Sequence, residues 1–186
     1  MTLLIAGLLL WCGVHLSSAV APALRTRLVA GMGLLPFRGG FALLVITSMV
    51  LMVFGWRAVD PAALYQPPVW GREATMVLVF FTFILFVAAK RLTNIKRILR
   101  HPQLTGVMLW SIGHLLSNGD SRSLVLFVSI GFWAALEIIL INRRAGAWIK
   151  PAPVPFTRDV LTVVMGVVLY TVLFLLHPYI SGVKLV

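Results

Sequence analysis

Long apolar runs alternate along the chain with short clusters of Arg, Lys, Pro and Gly. Six runs stand out, at residues 3–21, 41–56, 74–89, 104–118, 124–141 and 160–176. A helix needs about 20 apolar residues to cross a bilayer core of about 30 Å. A backbone in lipid must also satisfy its own hydrogen bonds, which selects helices over open strands. The pattern predicts an all-α fold, a polytopic membrane helix bundle of about six transmembrane helices. It forms a single integral membrane domain over residues 1–186. The second, third and fourth runs are short, so flanking residues are expected to extend those helices into the headgroup region.

The segments between the runs fit this map. Asp60-Pro61, Gln66-Pro67-Pro68 and Gly71 break the chain after the second run, with Trp56, Tyr65 and Trp70 around them as interfacial aromatics. Asn118-Gly119-Asp120-Ser121 reads as a tight turn, and Pro151, Pro153 and Pro155 as a stiff extended linker. Residues 90–100 mix basic residues with Ile95, Ile98 and Leu99, which suits a segment lying along the membrane surface. Ala19-Val20-Ala21 resembles a signal-peptide cleavage site. No Lys or Arg precedes the first run, however, and Pro22 would follow the cut, so the first helix is expected to be retained.

Composition sharpens the class. The chain is 60% hydrophobic and 11% charged, where a soluble domain runs to about a quarter charged. Mean hydropathy is +1.00. An ordinary soluble enzyme, a disordered tail and a disulfide-rich secreted module are excluded. The single cysteine, Cys12, excludes an internal disulfide and a cysteine-based zinc site. The formal charge of +11 is a topology signal. Twelve of the 16 Lys and Arg residues fall in the loops after the first, third and fifth runs. Arg57, Arg72, Arg122 and Lys184 lie on the other side. The positive-inside rule puts the twelve in the cytoplasm and both termini outside, as for a multi-pass inner-membrane protein with periplasmic termini. The charges form no single face interleaved with aromatics, so no nucleic-acid partner is expected.

Ionisable side chains within such runs are costly and mark candidate sites. His15, His114 and Glu137 qualify, and His101 and His177 lie at run ends. His15 and His114 share a phrase. Leu10-Trp11-Cys12-Gly13-Val14-His15-Leu16-Ser17-Ser18 and Leu109-Trp110-Ser111-Ile112-Gly113-His114-Leu115-Leu116-Ser117 both fit L-W-x-x-x-H-L-x-S. Trp, His and Ser at i, i+4 and i+7 share one helical face. The two helices run in opposite directions, as in an inverted-topology repeat. The backbones of the two histidines differ in depth by about 10 Å, while their Cβ vectors lean back towards the midplane.

Two readings of this pair stay open on spacing alone. Neutral imidazoles bind iron, zinc or copper, and the chain has no cluster for a four-ligand site. Haem needs only one or two protein ligands and has an apolar macrocycle beside which Trp11 and Trp110 can pack. Equally, each histidine can make an interhelical hydrogen bond, with Trp as packing. Glu137 lies less than two turns from Arg143 and Arg144, which suits an ion pair or snorkelling better than a proton-transfer role. Cys12 reads as a small packing residue, and Gly13/Ser17 and Gly113/Ser117 as small pairs that permit close helix approach.

Several phrases resemble the NnrU family of membrane proteins: Phe54-Gly55-Trp56-Arg57-Ala58, Val69-Trp70-Gly71-Arg72, Arg97-Ile98-Leu99-Arg100-His101-Pro102, and His177-Pro178-Tyr179-Ile180. The most specific is H-P-x-x-x-G-x-x-x-W-x-x-x-H-L-x-x-N-G-D, filled by His101 through Asp120. The resemblance covers nearly the whole chain. It implies a role in bacterial denitrification and nitric oxide metabolism. The family is also similar to the plant zeta-carotene isomerase, a membrane enzyme that uses haem b. By motif, that resemblance implies haem b with His15 and His114 as iron ligands, and a small apolar substrate or nitric oxide as reactant. Leu16-Ser17-Ser18 departs from the isomerase pattern after its first histidine, so polyene specificity does not carry over. His101-Pro102 is similar to an element of membrane isoprenylcysteine-type methyltransferases, whose Glu-rich C-terminal motif is absent here. Two functions follow as expectations: a haem-b protein with isomerase or redox activity, or a non-enzymatic accessory or sensor protein for nitrite and nitric oxide reduction. His101 and His177 are expected to be structural residues at helix ends.

Overall fold

The structure, a computed structural model, describes residues 1–183 except the side chain of Ser18. Lys184, one of the four basic residues assigned to the outer side, lies outside the described residues. The chain is helical throughout: α1 Thr2–Val20, α2 Pro22–Met32, α3 Leu34–Arg57, α4 Gly71–Lys90, a 3-10 turn Asn94–Arg97, α5 Pro102–Ser117, α6 Ser121–Ala145 and α7 Phe156–Ser181. The six apolar runs correspond to α1, α3, α4, α5, α6 and α7. A helical membrane bundle is the fold.

Two features differ from the hydropathy pattern. The first is α2, which the arginines of its sequence concealed as a loop. Pro22 starts it at a position where the missing N–H costs nothing. Gly33, at φ +88°, both ends it and opens α3, which begins at Leu34, ahead of the expected residue 41. No residue of α2 is buried, and it turns by 87° from α1. The second is length. Among the described residues α3, α4, α6 and α7 are long and apolar enough to cross a membrane. By contrast α5, with 16 residues, is only about 24 Å long. The helix that carries His114, α5, is thus outside the set that spans by its own length and composition.

Packing runs α3–α1–α6–α5–α4–α7 around the bundle. The α1–α3 pair has a counterpart in α5–α6, as an inverted repeat requires, but α1–α6 has no comparable counterpart in α5–α3. The α1–α3 crossing is close because Gly55 faces α1: a Cβ there would overlap the backbone of Leu4. The α4–α5 pair is zipped by hydroxyls. Thr82 is fully buried and donates to the carbonyls of Leu78 and Gly106, both at 3.0 Å. Thr75 bonds the carbonyl of Gly113 and the hydroxyl of Ser117. The exterior is aliphatic, with Leu43, Ile46, Phe132, Val168 and Leu175 exposed, as a lipid-facing surface demands. The protein is a multi-pass membrane protein in a lipid bilayer.

One end of the bundle is braced by the expected tight turn. Asp120 caps α6, accepting from the Ser123 N–H at 3.0 Å and its hydroxyl at 2.6 Å. Arg122 lies over the Trp56 ring at 4.4 Å and donates to the carbonyls of Trp56 and Val59. The Tyr65 hydroxyl donates to the carbonyls of Leu115 and Asn118. Burial and the nearby Asp120 carboxylate push its phenol above the ordinary tyrosine range, so it stays a donor. Arg57 reaches the Ile180 carbonyl at 3.4 Å and links the ends of α3 and α7.

Candidate functional site

The echoed phrases fold into the same local device twice. In α1 the His15 Nδ1 lies 2.9 Å from the Trp11 carbonyl, and in α5 the His114 Nδ1 lies 2.8 Å from the Trp110 carbonyl. A carbonyl oxygen only accepts, so in each ring Nδ1 carries the proton and Nε2 keeps its lone pair. Each imidazole also packs on the tryptophan one turn earlier, with centroids 4.3 Å apart for Trp11–His15 and 4.8 Å for Trp110–His114. The i, i+4 spacing therefore does two things. It fixes the tautomer and it clamps the ring face.

Both devices lean on α6. His15 meets the Trp133 ring at 4.9 Å and the Phe41 ring of α3 at 5.4 Å. His114 stacks on Phe127 at 4.6 Å, with planes 27° apart. Phe127 and Trp133 are six residues apart, about 9 Å along the helix axis, which agrees with the depth offset expected from sequence. Trp11 and Trp110 pack against one core cluster of Leu4, Leu8, Ile130, Trp133 and Ala134. The two histidines thus share a wall. Among the described residues no ring contact joins His15 to His114.

The ring that does meet His114 across the bundle is His177, at 6.5 Å with planes 29° apart. Its Nδ1 lies 3.1 Å from both the Val183 carbonyl and the Ser181 hydroxyl. Sequence reasoning gave His177 only a structural role. A signal was present: α5 and α7 end at the same face, and His114 and His177 lie three and four residues before those ends. His101, the residue that precedes α5, places its Nε2 2.8 Å from the Asn142 amide oxygen. Ser117 holds α4, and the Ser18 side chain lies outside the described residues.

Polar atoms gather beside His15. Trp11 Nε1 is buried with no hydrogen-bond partner, and the Trp11 and Trp133 indoles meet edge to face at 5.3 Å. Glu137, 7% exposed, follows Trp133 by one turn, and its carboxyl is the acceptor towards which the Trp133 N–H is directed. Cys12 is a free, half-buried thiol in this sector. The cavities described lie elsewhere. One of about 270 Å³ between α5 and α6 is lined by Met108, Ser111, Phe127 and Gly131, and one of about 400 Å³ by Met76, Phe80 and Tyr170. Phe127, which stacks on His114, also lines the first of these.

Fold and site together define a polytopic helical membrane protein with tautomer-fixed histidines packed among aromatics inside its bundle. The chain belongs to the NnrU family: the family model described as NnrU protein matches residues 3–185, nearly the whole chain. No curated protein and no solved structure matches it.

Proposed function

We propose that this protein binds haem b within the bundle, with His15 and His114 as the imidazole donors to iron, and that it acts in bacterial denitrification or nitric oxide metabolism. The observation that carries this reading is the twin Trp–His device. Each Nδ1 is bonded to a carbonyl one turn back, the second-sphere arrangement that fixes a metal-binding histidine and leaves Nε2 for the metal. The surroundings fit the group. Trp11, Trp110, Trp133 and Phe127 offer apolar ring faces to a macrocycle. The unpartnered indole N–H of Trp11 is a donor awaiting an acceptor such as a propionate. Haem would supply a redox-active, Lewis-acidic iron for an isomerase or redox step on a small apolar substrate or nitric oxide. His15 and His114 would hold it, and the aromatic rings packed on them would keep water from it. The basic end lies in the cytoplasm of an inner-membrane protein, with both termini periplasmic.

A second reading has its own support. Both rings are already well packed, and neither described cavity opens at His15 or His114. That suits a non-enzymatic accessory or sensor protein for nitrite and nitric oxide reduction. Titrating haem into the purified protein separates the two. Haem binding at the tryptophan-walled site quenches the fluorescence of Trp11, Trp110 and Trp133 as a low-spin absorption band grows. Full complementing activity in a haem-free preparation with no quenching on titration establishes the accessory reading.

A further inference from the structure

Tyr170 stands where a membrane helix seldom carries a tyrosine. With α7 running Phe156–Ser181, it lies about 21 Å along the axis from one end and about 17 Å from the other. Tyrosines of such helices gather at the interfaces, where water and headgroups take up the hydroxyl. In the middle of a span neither is in reach, and an unpaired hydroxyl in hydrocarbon is costly. Thr82, in the middle of α4, meets that demand by donating to the carbonyls of Leu78 and Gly106. The Tyr170 hydroxyl has no hydrogen bond among the described residues. Nor is it sealed in by protein, as the Ser111 hydroxyl and the Trp11 N–H are.

Beside it, α4 and α7 form a recess. The two helices are close where Gly166 faces α4, since a Cβ there would lie 2.7 Å from the Ile84 Cα. One turn along from this contact is the cavity of about 400 Å³, lined by Met76, Val77, Phe80, Phe81 and Tyr170. Ligand pockets run from about 300 to 1,000 Å³. The wall is aromatic: Tyr170 meets Phe80 edge to face at 5.6 Å, and Phe80 meets Phe81 in the same way at 5.5 Å. Val77 and Phe81 are 55% and 48% exposed on the lipid-facing surface, so the recess opens sideways into the bilayer.

An occupant has to live in hydrocarbon, pack a flat face on these rings and present a hydrogen-bond acceptor near the midplane. Acyl chains and polyene hydrocarbons have no acceptor. Lipid ester carbonyls and phosphates stay at the headgroups, about 15 Å away. A quinone with an isoprenoid tail meets all three demands. We propose that this recess binds a membrane quinone, with a ring carbonyl accepting from the Tyr170 hydroxyl, the ring against Phe80 and Phe81, and the tail in the lipid. The site does not depend on haem, and the two stand or fall separately.

The test is photolabelling of the purified full chain in phosphatidylcholine nanodiscs with an azido-quinone, with labelled peptides mapped by mass spectrometry and affinity read from competition by decylubiquinone. Label is expected on residues 76–81 or 170–174. Decylubiquinone displaces it, and decylbenzene, which has a ring and tail but no carbonyl, does not. Y170F removes only the hydroxyl. It keeps the wild-type Tm, because that hydroxyl holds nothing in the protein, and binds decylubiquinone about fivefold more weakly. Y179F, at a tyrosine 80% exposed, keeps the wild-type affinity. Equal displacement by decylbenzene reveals a groove for any apolar chain and overturns the quinone assignment. No label, label elsewhere, or undiminished affinity in Y170F overturns the site.

Discussion

The imidazoles of His114 and His177 face each other at 6.5 Å across the end of the bundle, although 63 positions separate them in the chain. His114 donates from Nδ1 to the Trp110 carbonyl, and His177 Nδ1 meets the Val183 carbonyl and the Ser181 hydroxyl. With His15 and His114 as the donors to iron, His177 is a neighbour of the ligand. His177→Ala then keeps the low-spin haem spectrum and shifts its band position or haem affinity modestly. Optical titration of that variant checks this. Complete loss of the spectrum in His177→Ala, with retention in His15→Ala, assigns the pair to His114 and His177.

Orientation is testable by labelling single cysteines in a Cys12→Ala background. Asn94 is a poor probe, because its side chain is engaged by Asp159 and Val154. Ile98, 78% exposed, is a better one. A cysteine at Gln66 reacts with a membrane-impermeant reagent in intact cells, and one at Ile98 reacts only after the membrane is opened. The reverse pattern contradicts the cytoplasmic assignment of the basic end.

Thr82→Val removes a buried hydroxyl that holds α4 to α5 while keeping its shape. Interhelical hydrogen bonds in membranes contribute on the order of 0.6 kcal/mol. A loss of about that size is expected in reversible unfolding, with haem binding unchanged, since Thr82 contacts neither histidine. Gly55→Val behaves differently. Its side chain has no room beside Leu4, so α1 and α3 separate and His15 loses its Phe41 contact. A loss of stability accompanied by weaker haem binding is the expected outcome.

Much of the fold was legible in the sequence because lipid leaves the backbone few options. Six apolar runs had to be helices, and six helices coincide with them. The helix α2 was not legible, because Arg25 and Arg27 interrupt any apolar run and only the Pro22 start and Gly33 stop mark its ends. The Trp–His device could be read because all its parts lie within one turn of one helix. Its walls could not. Phe127 and Trp133 become neighbours of the histidines only through the packing of α1 and α5 on α6. His177 was hidden for the same reason, its place depending on how α7 lies relative to α5.

The most direct measurement is the optical and electron paramagnetic resonance spectrum of the purified protein after expression with haem supplied, for the wild type and for His15→Ala and His114→Ala. Two imidazoles on one iron give a low-spin species. The wild type is predicted to show it, with one haem per chain. His15→Ala and His114→Ala are each predicted to lose the low-spin signal or the haem itself. A normal spectrum in both variants, or a wild type that takes up no haem, contradicts the account and leaves His15 and His114 as packing residues on α6.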